Sequence, residues 1–180
     1  MTSTSTHQLF SIEKIEASTR RIAFQILESN VDEKELFLVG VASNGLLFAQ
    51  RLKKILESLS SQKIHLIGLE INKRNPLDKI KIDTDLKVCE NGAVIVVDDV
   101  LNTGSTLIYA VNYLLKVSLK RIQTAVLVNR NHKCYPVKAD FKGLSLSTSH
   151  TPLAPSLMSH LRLASIPSLP PGTTLRRPRK

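Results

Sequence analysis

Tryptophan is absent from the 180 residues, and aromatic side chains make up only 4% of them. A core built from this chain must be aliphatic, supplied by its Val, Ile and Leu runs. Cysteine is nearly absent too: Cys89 and Cys134 show no CxxC spacing. That excludes a disulfide framework or a cysteine-rich zinc site and predicts two reduced thiols. The histidines form no HxxxH pattern, so a zinc hydrolase is not expected. No apolar stretch approaches the ~18 residues of a membrane span. The start, MTSTSTHQLF, has no basic segment followed by an apolar one, so a secretory signal is not expected and a cytoplasmic location is. Two nucleotide-binding signatures are also missing, GxxxxGK[ST] and GxGxxG. Their absence argues against a P-loop NTPase and a dinucleotide fold.

From Ser149 to Lys180 there are five Arg and Lys and no Asp or Glu, so half of the net charge of +10 lies there. The stretch HTPLAPSLMSHLRLASIPSLPPGTTLRRPRK also holds six of the eight prolines and no sustained period. It reads as a poorly ordered basic tail over 150–180, with SLMSHLRL able to form a short helix, behind a domain over 1–149. The basic balance suits phosphorylated ligands or RNA without choosing between them.

What is present is a regular alternation. Ile12, Ile15, Ile22, Ile26 and Leu27 have helical spacing behind a candidate N-cap, Ser11. The run 35–41 reads as a strand, 44–59 as a helix, 63–71 as a strand and 72–79 as a polar loop. A strand over 93–98, a helix over 105–117 and a strand over 122–128 follow. Strands alternating with helices, several of them wholly apolar, predict an α/β domain whose mostly parallel central sheet is flanked by helices.

The segment VIVVDDVLNTGSTL (94–107) carries the chemistry. Ligands of open α/β sheets bind outside the carboxyl ends of the strands, so Asp98 and Asp99 belong at that rim. Thr103, Gly104, Ser105 and Thr106 offer amides, hydroxyls and a helix N-terminus, which suit a phosphate. Carboxylates and a phosphate cradle so close together conflict for a simple anion. They agree for a sugar phosphate, whose hydroxyls donate to the carboxylates while the cradle holds the phosphate.

Apolar strand, two acids and a TGxT loop together resemble the phosphoribosyl-diphosphate (PRPP) motif of type I phosphoribosyltransferases. Three further segments, RIAFQILE (21–28), LVGVASNGLLFAQRL (38–52) and LVNRNHKCYPVKADFKGLSLSTS (127–149), are similar in order to one family within that group. These are the pyrimidine-operon attenuation regulators that double as uracil phosphoribosyltransferases. The resemblance implies the type I phosphoribosyltransferase fold. It implies that Asp98 and Asp99 hold the ribose hydroxyls and that Asn102 through Thr106 hold the 5′-phosphate. Ala42, Ser43, Asn44 and Gly45 would lie against pyrophosphate. Arg130, Pro136, Val137 and Phe141 would shape the base pocket. Lys73 and Arg74, in the 72–79 loop, would be the cations that meet the leaving group. Mg²⁺ would arrive with PRPP, with no metal held directly by the chain, and a homodimer or higher homo-oligomer is implied.

The chain departs from the family pattern in places. Asn102 stands where 6-oxopurine enzymes carry a third acid near the base, which counts against hypoxanthine or guanine. The VASNG turn lacks the family's basic residue, the 72–79 loop is short, and Asn129 and Asn131 replace an Asp and a Gly. His132 reads as a structural loop histidine. The leading expectation is an enzyme making a nucleoside monophosphate from PRPP and uracil. The alternatives are an RNA-binding attenuation regulator, taking an mRNA leader as partner with weak or no catalysis, and a phosphoribosyltransferase for another base.

Overall fold

The computed structural model describes residues 11–72, 75, 77–130, 132 and 134–146. Helix α1 spans Ile12–Ser29, and the Ser11 hydroxyl accepts from the Lys14 amide as its N-cap. The adjacent backbone amide, and after it the Ser11 hydroxyl, hold the exposed Glu13 carboxyl below the usual carboxylate range. Ile15, Ile22 and Ile26 of the predicted stripe are buried, joined by Ala23, whereas Ile12 is exposed and Leu27 half-buried. The helix ends at Asn30, which is buried and donates to Ile26 O and Gln123 Oε1, tying α1 to the sheet.

Strand β1, Glu35–Val41, is buried along all but its first residue. Helix α2, Ala42–Leu59, follows without a loop, two residues earlier than the periodicity predicts. Ala42 takes a left-handed φ of 54°, which turns the chain within one residue. β2, Lys63–Glu70, lies parallel to β1, and the two-residue β3, Lys81–Ile82, pairs antiparallel at its outer edge. A 3₁₀ turn, Leu86–Cys89, leads into β4, Ala93–Leu101. Then come α3, Ser105–Leu114, β5, Arg121–Arg130, and β6, Phe141–Leu146. The sheet order is β3-β2-β1-β4-β5-β6, parallel throughout except for β3.

Alternation along the strands divides the core into two layers. Leu36, Leu38, Ile95, Val97 and Leu127 pack with α1 and α2, whereas Val39, Val94, Val96 and Val126 pack with α3 on the other face. Cys89 is buried and its thiol is pushed up by desolvation, while Cys134 is exposed; neither forms a disulfide. No helix among the described residues is long and apolar enough to cross a membrane.

Two expectations need correction. β4 does not end at Asp98 but continues to Leu101, because β5 goes on pairing with it after β1 has stopped. α3 ends at Leu114 rather than near 117, its last turn tightening into i→i+3 bonds from Lys116 and Val117. Residues 141–146, to which the sequence pattern assigned no element, form the edge strand β6.

Candidate active site at the carboxyl rim of the sheet

The strand order reverses between β1 and β4. β1 leads into α2 on one face and β4 into α3 on the other, so their loops part there and leave a crevice. β1–β4 pairing ends at Gly40↔Val97. Asp98 and Asp99, the next residues of β4, therefore lie inside a strand yet at the mouth of the crevice. Both are buried, 2% and 4% exposed, and the Asp99 amide donates to Asp98 Oδ1 at 2.9 Å. Burying two adjacent acids away from water is costly, so a fold that retains them uses them.

Ala42 to Gly45, expected as a turn, are the first turn of α2, whose leading N–H groups have no partner within the helix. Two glycines seat that turn. A Cβ on Gly45 would lie 2.6 Å from Val97 O and 3.1 Å from Asp98 Cα, and one on Gly40 would lie 2.5 Å from Leu46 Cα. The first turn of α2 thus rests directly on the β4 backbone beside Asp98.

On the other side of the crevice, Gly104 begins α3 at φ 87° with no side-chain cap, and the Ser105 amide donates to Thr103 Oγ1. Asn102 is exposed; Thr103, Ser105 and Thr106 are half-buried. The helix N-terminus with its hydroxyls is suited to an anion.

The segment after β5 is pinned to this loop. Thr103 O accepts from the Cys134 and Tyr135 amides at 2.9 and 3.0 Å. Tyr135 and Val137 lie against Gly104, and Tyr135 meets Tyr109 edge-on. Val137 is buried and Pro136 exposed on this segment, while Arg130 ends β5 in register with Leu146. Phe141 is not at this rim. It pairs with Ala125 and packs in the core on the α1 face, because β6 begins there and turns the ring into the sheet–helix interface. Lys73 and Arg74 lie outside the described residues. Around them, Asp78 accepts from Asn72 and Asn75 side chains, and Lys79 is exposed.

A further clamp went unread in the sequence. Asp140 Oδ2 accepts from the Thr124 amide at 2.8 Å and from its hydroxyl at 2.9 Å, and the Asp140 amide donates back to Thr124 O. The signal was a lone threonine within the apolar run IQTAVLV. The segment 134–140 is thus tied at one end to Thr103 and at the other to Thr124. Thr124→Val should lower stability by about 1–2 kcal/mol. Amide hydrogen exchange should then rise at 138–140 and stay unchanged in α2.

The phosphoribosyl transferase domain family model matches residues 5–161. The Bifunctional protein PyrR of Fusobacterium nucleatum is 33% identical over 151 residues, covering 79% of this chain and 85% of that protein. The Pyrimidine operon regulatory protein of Lactococcus lactis is 34% identical over 136 residues, covering 72% and 77%. Among solved structures, the hypoxanthine phosphoribosyltransferase of Trypanosoma cruzi superposes with a TM-score of 0.68 at 19% identity, covering 77% of this chain and 80% of that one.

Proposed function

The chain belongs to the phosphoribosyl transferase family, and from that premise we propose that it transfers ribose 5-phosphate from PRPP to uracil, releasing pyrophosphate. The observation that carries this reading is the convergence at one crevice of the buried Asp98–Asp99 pair, the Gly104 start of α3 and the first turn of α2.

In this reading the two carboxylates accept hydrogen bonds from the ribose hydroxyls, and the amides and hydroxyls of Asn102 to Thr106 hold the 5′-phosphate. The Ala42–Gly45 amides meet the diphosphate, and Arg130 with Pro136 and Val137 bounds the base. The sugar is then held at three points while its anomeric carbon exchanges diphosphate for a base nitrogen. The cost of orientation is met in advance. The negative field of Asp98 and Asp99 also favours the positive charge that develops on the ring. No protein nucleophile is required.

Among the described residues no group of three or more His, Cys, Asp or Glu gathers to hold an ion. Two acids beside a diphosphate site fit an ion that enters with the substrate. Magnesium bound to PRPP supplies charge neutralisation on the leaving group. Lys73 and Arg74 add to it from the 72–79 segment, and the active species is a homodimer or larger homo-oligomer. The tail over 150–180 is dispensable for this chemistry.

The test is PRPP consumption with uracil, hypoxanthine, guanine, xanthine and orotate in turn. Turnover should require uracil. Lys73→Ala with Arg74→Ala should lower kcat at least about tenfold with PRPP affinity little changed, since the contact is made mainly in the transition state. Turnover with a different base would move the specificity; turnover with none would remove the reaction.

A second reading is favoured by the relative named as a pyrimidine operon regulatory protein and by the net charge of +10. In it the same site senses a nucleotide and the chain binds an mRNA leader. Wild-type turnover would then be negligible with every base, and RNA affinity would fall steeply with salt.

A further inference from the structure

We propose that the outer edge of β2 takes an extended peptide of alternating apolar and acidic residues as an added strand. β3 covers only the far end of that edge, pairing Leu69 with Ile82 and Glu70 with Lys81. Gly68 marks where the cover stops. Its carbonyl accepts from the Asp83 amide, and its own amide donates to the Asp83 carboxylate at 2.8 Å. Along a strand, backbone groups that point to one side recur at every second residue. Leu66 and Ile64 therefore aim their N–H and C=O groups outward as Gly68 does. Lys53 Nζ donates to Ile64 O at 2.6 Å, as that direction requires. The Leu66 N–H and C=O and the Ile64 N–H have no partner among the described residues.

An open edge of this kind is a template for another strand. Here it lies in a groove of about 420 Å³. Lys53 and Glu57 of α2 form one wall, on the face where Ile64 packs. Thr84 and Val88 form the other, on the face where Ile67 and Cys89 pack. Walls on both sides favour a lone peptide over the edge of a second copy, because that edge would bring its own α2 and 84–88 segment against these. Side chains of the added strand alternate between the two walls. One set meets Ile64, Leu66 and the carbon stems of Lys53 and Glu57, whose charges are matched to each other at 3.2 Å. That side suits apolar residues. The other set meets Lys63, which is exposed and has no acidic partner among the described residues. Glu57 is the one acid among the described residues of the groove, and it is already paired. An acidic side chain on the Lys63 side is therefore attracted without opposition. Backbone bonds supply the affinity and the alternate side chains the selectivity.

The inference is independent of the transfer reading, since this edge belongs to the amino half of β2 and the crevice to the carboxyl ends of the strands. It is tested on the full chain with a capped heptapeptide of alternating valine and glutamate, read by calorimetry and amide hydrogen exchange. One peptide should bind per chain and slow exchange at Leu66 and Ile64, with α3 unchanged. Lysine in place of glutamate in the peptide should weaken binding at least about tenfold, and Lys63→Glu should weaken the original peptide about threefold or more. N-methylation of the peptide amides that face the edge leaves the protein untouched and should cost at least about tenfold. Binding that ignores N-methylation overturns the inference, as does equal binding of the lysine peptide or no binding at all. Leu66 and Ile64 amides already protected in the free chain also overturn it. Protection that persists on dilution would assign the edge to another part of this chain, and protection lost together with a sedimenting dimer would assign it to a second copy.

Discussion

Changing Asp98 and Asp99 together to asparagine is expected to remove PRPP binding by at least about a hundredfold while leaving the protein folded. Hydrogen bonds from hydroxyls to an ionised acceptor are each worth about 1.5–3 kcal/mol. Losing two amounts to about two to four orders of magnitude in affinity. The fold should survive because asparagine has nearly the same shape. An amide oxygen at position 98 can still accept the Asp99 backbone N–H that Asp98 Oδ1 takes at 2.9 Å. Replacing two buried carboxylates by neutral amides also relieves a desolvation cost. Calorimetric titration with PRPP and Mg²⁺ measures the first effect and thermal unfolding the second. Undiminished affinity in the double variant would mean that the acids serve the strand and not the sugar.

The second large effect belongs to Gly104. Its surroundings leave room for a side chain, since the nearest atoms to a Cβ lie 3.5 Å away. The obstacle is the backbone: φ is 87°, and a β-branched residue in that region is strained. Gly104→Val should swing the 103–105 backbone out of its left-handed turn and so dismantle the start of α3. Nucleoside 5′-monophosphate affinity should fall about a hundredfold, while stability falls by only about 1–3 kcal/mol. Gly104→Asn is the control, because asparagine tolerates this conformation. It should retain much of the binding that valine loses. Parallel loss of binding and stability in both variants would make Gly104 a turn residue and nothing more.

Much of this arrangement was legible because apolar periodicity is local. The strands at 35–41 and 63–70 and the helix at 12–29 follow directly from which residues repeat every second or every third to fourth place. What was not legible depends on partners distant in sequence. Asp98 and Asp99 look like a strand terminus, yet β5 continues to bond β4 as far as Leu101↔Asn129. Phe141 looks like a pocket residue next to KAD, yet its pairing with Ala125 consigns it to the core. The start of α2 turns on the conformation of Ala42, a residue type with no preference for a left-handed φ. In the site, the acids and the TGST loop could be read in advance. The ties between loops could not, because Thr103 O receives its amides from residues some thirty positions away.

The seating of α2 on β4 also limits how this site can diverge. With Gly45 held against Val97 O and Gly40 against Leu46, neither position admits even a methyl group without lifting the helix from the sheet. The first turn of α2 and the Asp98–Asp99 stretch of β4 therefore move together as one rigid body. In the proposed reading, the half of the crevice that holds the sugar phosphate then has little mutational freedom, and the scope for a new ligand lies away from it.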